Sequence, residues 1–64
     1  MSIEIAVGLL VEHRNGINTY TKEERLEASK TLNGYKCDWI QVTNDPTSDG
    51  FWLLIVDGNL LYNS

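Results

Sequence analysis

The chain has 64 residues and a formal net charge of −4, from nine acidic residues and five lysines and arginines. A chain of this length predicts a single small domain over residues 1–64, whose core supplies only about 3–5 kcal/mol of stability. Cys37 and His13 are the only cysteine and the only histidine, which excludes an internal disulfide and a zinc site made of soft ligands alone. The acidic balance and the scattered basic residues argue against nucleic-acid binding.

Membrane and secretion signals are missing from the sequence. No apolar run reaches the roughly 20 residues of a membrane-spanning helix, and the N-terminus has neither the basic start nor the small-residue cleavage site of a signal peptide. We therefore expect a cytoplasmic protein that has no contact with a membrane. We also expect that it holds no cofactor or metal.

The N-terminal segment alternates apolar with other residues, and its apolar positions are Ile3, Ile5, Val7, Leu9 and Val11. This period of two predicts a β-strand. A helix that begins at Ser2 is the alternative, because the apolar run is nearly continuous, but Gly8 and the β-branched residues disfavour it. Asn15-Gly16 is typical of a type I′ turn, which predicts a short second strand over residues 17–20.

A helix is predicted over residues 22–32. Thr21 and Glu24 have the spacing of a capping box, in which each side chain binds the other residue's backbone N–H. Asn33-Gly34 supplies the left-handed stop. The helical period places Leu26, Ala28 and Leu32 on one narrow apolar side, which can cover part of one sheet face.

The C-terminal half predicts three strands, over residues 35–43, Phe51–Val56 and 59–62, with a loop over residues 44–50. Asp57-Gly58 between apolar runs is the strongest short-range hairpin signal. The loop resembles an EF-hand calcium site at Asp45, but Val56 stands where the bidentate Glu is required, so a plain turn is favoured.

These elements predict an α+β fold of order β-β-α-β-β-β, with one helix and an antiparallel sheet of four to five strands. Both sides of the strand Phe51–Val56 are apolar, so both faces of the sheet require cover. One helix covers one face. The other face is covered by curling of the sheet, by a second copy or by a partner protein.

The sequence offers little support for a set of residues that act together in catalysis. Cys37 is a nucleophile candidate only if His13 lies beside it in space, and a lone cysteine in a strand is more often a small core residue. Glu23 and Glu27 lie on the outward side of the predicted helix, where a solvated face or an acidic docking surface is favoured over acid–base catalysis. The isolated glycines form no phosphate-binding loop. We therefore expect a protein that is not an enzyme.

The leading hypothesis is a small acidic protein-interaction module, a regulator, adaptor or inhibitor that binds another protein or a second copy as a homodimer. The alternatives are a small-molecule-binding domain, with its pocket at a homodimer interface, and a minimal enzyme that uses Cys37 or His13. Tryptophan and tyrosine are enriched at interfaces. The candidate interaction residues are Trp39, Trp52, Tyr35, Tyr62, Leu54, Glu23 and Glu27.

Overall fold

The computed structural model describes residues 1–43 and 50–62. Its element order is α1 (Ile3–Arg14), α2 (Lys22–Thr31), β1 (Cys37–Val42), β2 (Phe51–Val56) and β3 (Asn59–Leu60). The strands form one antiparallel sheet in the order β1-β2-β3. The predicted order with one helix and four to five strands is therefore wrong: the chain begins with two helices, and three strands follow. The predicted loop at 44–49, with its calcium alternative at Asp45, lies outside the described residues.

Helix α1 occupies the segment for which a strand was predicted. Its buried residues are Ala6, Val7, Leu9 and Val11, and Ile3 and Leu10 are partly buried beside them, so the apolar side is broad. Ile5, which strand alternation would place with Val7 and Leu9, is 60% exposed. Burial of this apolar side offsets the helix-propensity cost of the β-branched residues, which is about 0.5 kcal/mol each. The Ser2 side chain caps the helix by accepting a hydrogen bond from the N–H of Ile5.

The Asn15-Gly16 pair ends α1 and does not form a hairpin turn. Gly16 has a positive φ of 87°. Its N–H donates to the carbonyl of His13, and the N–H of Ile17 donates to the carbonyl of Glu12. These two bonds define a Schellman stop, which needs a left-handed residue just as a type I′ turn does. The predicted strand over residues 17–20 is wrong, because this segment crosses to α2 without entering the sheet.

Helix α2 begins and ends close to its predicted bounds. The capping box is confirmed: the Thr21 hydroxyl accepts from the N–H of Glu24, and the Glu24 carboxylate accepts from the N–H of Thr21. The two helices run antiparallel, since the Met1 ammonium lies 4.0 Å from the Glu27 carboxylate and the C-terminal turn of α1 meets the first turn of α2. Ala28 and Leu32 are buried as predicted, but Leu26 is exposed.

The sheet is closest to the prediction. Strand β2 has the predicted bounds, β1 and β3 are shorter than predicted, and the turn between β2 and β3 has positive φ at Asp57 (50°) and Gly58 (80°). Register pairs Trp39 with Leu54 and Ile55 with Leu60.

Leu54 and Val56 are buried on the face that packs against α1, and Ala28 and Leu32 belong to the same buried cluster. On the same side of β1, Trp39 is half-buried, while Cys37 and Gln41 are exposed. We call this side of the sheet the helix face. Because the side chains on both sides of β2 are apolar, the opposite face of the sheet is apolar as well.

Candidate functional site

The sheet face that points away from both helices is apolar, and neither helix covers it; Leu53 and Ile55 at its centre are half-buried. We call it the open face, and it consists of Ile40, Val42, Phe51, Leu53, Ile55 and Leu60. Ile40, Val42 and Leu60 are 40%, 45% and 54% exposed. The largest apolar patch on a typical monomer is about 300–600 Å² and is often functional. A contiguous face of aliphatic and aromatic residues is therefore a candidate binding surface.

The open face has a shallow groove and little charge. Val42, Phe51, Leu53, Leu60 and Tyr62 line the groove. The Tyr62 ring packs against the Phe51 ring with centroids 6.0 Å apart, which extends the aromatic part of the surface. Asp38, which pairs with Ile55, is the one charged residue of the strands on this face, and it lies near the hairpin end. Asp57 and Lys36 form the next pair at that end, so the rim there carries two carboxylates and one ammonium group.

An arginine and two tryptophans form a second feature, on the helix face near β1. The guanidinium carbon of Arg14 lies 4.8 Å from the ring centroid of Trp39 and 4.3 Å from that of Trp52. Trp39 is on β1, and Trp52 is on β2 two positions from the partner of Trp39. We call Arg14, Trp39 and Trp52 the arginine–tryptophan cluster. The cation–π contacts hold the guanidinium in place without a carboxylate partner among the described residues.

Asn15 fixes the end of α1 against the sheet and so positions the cluster. Its Oδ1 accepts from the N–H of Trp52 at 2.8 Å, and its Nδ2 donates to the Trp52 carbonyl at 2.9 Å. The same Nδ2 donates to the carbonyl of Val11 at 2.8 Å. The side chain therefore ties the last turn of α1 to the backbone of β2.

The outer edge of β1 presents backbone hydrogen-bonding groups. The Lys36 carbonyl accepts from the N–H of Asp57 at 2.8 Å, so the pair next to Cys37–Val56 is hydrogen-bonded. Hydrogen-bonded and non-hydrogen-bonded pairs alternate along an antiparallel ladder. The N–H and C=O groups of Cys37, Trp39 and Gln41 therefore point away from β2. No hydrogen bond to these outward groups is present in residues 1–43 and 50–62.

Both ring nitrogens of His13 are already engaged. Nδ1 lies 2.7 Å from Asn18 Oδ1, and Nε2 lies 3.1 Å from Arg25 Nη1. An arginine is always a donor, so Nε2 accepts and Nδ1 carries the hydrogen. His13 thus links α1 to α2 and to the connecting segment, and neither of its nitrogens bonds Cys37.

Cys37 lies exposed at the start of β1. Partial burial raises the pKa of its thiol, and the carboxylates of Asp57 and Asp38 raise it further. A nucleophilic cysteine requires the opposite environment, in which positive charge stabilises the thiolate. This surrounding gives no support to the minimal-enzyme alternative.

Neither a metal-binding cluster nor a membrane-spanning helix is present in residues 1–43 and 50–62. There, no group of three His, Cys, Asp or Glu side chains has a geometry that could hold a metal ion. Within those same ranges, neither helix has the length and apolar content needed to cross a membrane.

The residues predicted from sequence do not form one surface. Trp39 and Trp52 belong to the cluster on the helix face, Tyr62 borders the open face, and Tyr35 is exposed just before β1. Glu23 and Glu27 are exposed on α2, the helix that packs against α1. Leu54 is 1% exposed and belongs to the core.

Sequence reasoning did not select the members of the open face or Arg14 as candidate interaction residues. The alternation of β1 and β2 was a usable signal for the open face, because it separates Ile40 and Val42 from Trp39. The alternation alone does not show which of the two faces the helices cover. No sequence pattern indicated Arg14, because its contacts with Trp39 and Trp52 depend on where α1 ends.

Comparisons with protein-family models, with curated proteins and with solved structures give no match to this chain.

Proposed function

We propose that this chain is a small protein-interaction module, a regulator, adaptor or inhibitor that binds another protein through the open face. The observation that carries the proposal is the exposure of Ile40, Val42 and Leu60 on a face that also contains Phe51 and Leu53. Apolar side chains gathered on one flat surface gain free energy when a partner removes them from water, at about 25 cal/mol per Å² before the costs of association.

The surroundings of the open face suggest the chemistry of the partner. An apolar centre with a polar rim is the usual anatomy of a protein interface. Asp38 lies on the face, Asp57 lies in the adjoining turn beside Lys36, and the two carboxylates outnumber that one lysine. The chain as a whole has a net charge of −4. The proposed partner therefore has an apolar patch whose rim is basic, and attraction between the rims speeds association.

Two matched pairs of variants test the proposal. Leu60→Glu places a charge on the open face, and Leu26→Glu places the same charge on α2 at an equally exposed leucine, since the two side chains are 54% and 53% exposed. Ile40→Glu and Ile5→Glu form the second pair, on the sheet and on α1 respectively. Each pair changes the residue type and net charge identically. The two leucines are also matched in exposure, whereas Ile5 at 60% is more exposed than Ile40 at 40%.

The first measurement is the concentration dependence of solution mass for the parent chain and the four variants. Cross-linking in cells that naturally express the chain follows, with affinity measured for each purified partner. We expect Leu60→Glu and Ile40→Glu to weaken association at least tenfold, and the helix variants to leave it unchanged. A mass change that obeys this pattern assigns a second copy to the face. Equal effects of the sheet and helix variants, or no association at all, would overturn the proposal.

A further inference from the structure

The outer edge of β1 and the arginine–tryptophan cluster lie side by side. Trp39 belongs to both features: its backbone N–H and C=O point outward from the edge, and its indole ring lies 4.8 Å from the Arg14 guanidinium carbon. We propose that this edge binds an extended strand of a partner protein, and that a carboxylate on that strand pairs with Arg14. The inference rests on the proposed role in protein binding, but it uses a different surface from the open face.

The backbone part of the site follows from the ladder geometry. Cys37, Trp39 and Gln41 each direct one donor and one acceptor away from β2, and a chain that lies antiparallel to β1 can pair with all of them. Strand β1 has six residues, which is the usual length of a strand. Unpaired edges of this length are the surfaces on which strand addition takes place.

The side-chain part of the site selects the partner's charge. Facing residues on neighbouring strands project to the same side, with Cβ atoms about 5 Å apart. A partner residue opposite Trp39 therefore projects on the helix face, next to the Trp39 ring that the Arg14 guanidinium contacts. No described residue donates to or accepts from that guanidinium. Its N–H groups are therefore free to bind a carboxylate, which matches a guanidinium in shape and charge.

The opposite side of the added strand requires different chemistry. Residues that face Ile40 and Val42 lie on the open face and extend its apolar surface, so apolar side chains fit there. The residue that faces Asp38 lies beside a carboxylate, so a basic side chain fits. The partner strand consequently alternates, with an acid toward Arg14 and apolar or basic residues toward the open face.

A second copy of β1 does not meet these requirements. Its residues on the helix face are Cys37, Trp39 and Gln41, and none of them carries the negative charge that Arg14 would bind. Antiparallel pairing of two copies would also bring two Arg14 guanidinium groups toward one symmetric edge. The occupant is therefore a strand from a different protein.

A heptapeptide with capped ends and the sequence Thr-Val-Thr-Val-Glu-Lys-Thr places Glu opposite Trp39 and Lys opposite Asp38. A matched peptide has Gln in place of Glu. Binding is followed by the amide shifts of the folded chain and by its tryptophan fluorescence. We expect the amides of Cys37, Trp39 and Gln41 to shift more than those of Asp38 and Ile40, and the Gln peptide to bind roughly tenfold more weakly.

Variants of the chain separate the two parts of the site. Arg14→Gln is expected to bind both peptides equally weakly, and Arg14→Lys to keep part of the preference for Glu. Gln41→Pro removes an outward N–H without touching a bond to β2 and is expected to weaken both peptides, while Gln41→Ala binds like the parent chain. Absence of amide shifts at millimolar peptide, or equal affinities of the Glu and Gln peptides for the parent chain, would overturn the inference.

The same experiment keeps this inference distinct from the function proposed above. Leu60→Glu lies on β3, away from the outer edge of β1, and is expected to bind the Glu peptide with unchanged affinity. If the peptide fails to bind while Leu60→Glu still abolishes association through the open face, the edge inference is wrong and the proposed function stands. If the peptide binds and Leu60→Glu changes no association, only the edge inference stands.

Discussion

The carboxamide of Asn15 pairs with the backbone of Trp52 as a neighbouring strand residue would. The N–H of Trp52 donates to Asn15 Oδ1, and Asn15 Nδ2 donates to the Trp52 carbonyl. Both groups of Trp52 face the side of β2 on which β3 lies, but β3 extends only over Asn59–Leu60. The residue that ends α1 thus completes the ladder of β2 beyond β3.

Replacing Asn15 is expected to loosen the helix layer from the sheet. Asn15→Ala leaves the N–H and C=O of Trp52 without partners in a partly buried position, at an expected cost of about 2–3 kcal/mol in the free energy of unfolding. Urea denaturation followed by tryptophan fluorescence measures this change. Asn18→Ala is the matched control, because it removes one exposed side-chain bond to His13. Equal losses for the two variants would contradict the role of Asn15.

Neighbouring leucines on opposite faces of β2 test which face the helices cover. Leu54 is 1% exposed, while Leu53 is half-buried on the open face. We expect Leu54→Ala to cost about 3 kcal/mol and Leu53→Ala about 1 kcal/mol in dilute solution. Chemical denaturation at several concentrations measures both. A Leu53→Ala cost that rises with protein concentration would show that association covers the open face.

The capping box of α2 offers a stability test with an internal control. Thr21→Ala removes the hydroxyl that accepts from the N–H of Glu24, and we expect a loss of about 1 kcal/mol. Thr31→Ala lies in the last turn, where its hydroxyl bonds only the carbonyl of Glu27 within the same helix. Because alanine is a better helix former than threonine, this second change should be neutral or slightly stabilising. Thermal melts of the two variants distinguish them.

Removal of the Arg14 charge is expected to alter both tryptophans at once. Arg14→Met keeps much of the side-chain volume but loses two cation–π contacts, each of which contributes about 0.5–1 kcal/mol at an exposed site. Near-UV circular dichroism and the tryptophan emission maximum report the change in ring environment. Lys30→Met, on α2, removes the same charge and should leave both spectra as they are in the parent chain.

The reactivity of Cys37 should depend on its acidic neighbours. Since burial and the carboxylates of Asp57 and Asp38 raise the pKa of the thiol, the thiolate fraction at neutral pH is below that of a free cysteine. The rate of iodoacetamide alkylation should therefore be slow at pH 7 and rise with pH. Asp38→Asn removes one of the charges that raise the pKa, so alkylation should become faster at a given pH. An unchanged rate would show that Asp38 has no influence on the thiol.

Local signals in the sequence determined the elements that depend on short-range interactions. Thr21 and Glu24 predicted the start of α2, and Asp57-Gly58 predicted the tight hairpin. The continuous apolar run between turn residues predicted the strand Phe51–Val56. Each of these features is stabilised by groups within a few residues of one another, so no knowledge of the remaining chain was needed. The two apolar faces of β2 were likewise visible from alternation alone.

The tertiary structure decided the N-terminal half. Ile3–Arg14 is apolar enough for either a strand or a helix, and Asn15-Gly16 supplies the left-handed residue that a hairpin turn and a helix stop both require. The choice depends on burial of Val7 and Val11 against β2, which is distant in sequence. The same packing determined which face of the sheet stayed open, and it brought Arg14 to the two tryptophans and Asn15 to Trp52. These contacts join segments that are far apart in the sequence and share no sequence pattern, so only the tertiary structure reveals them.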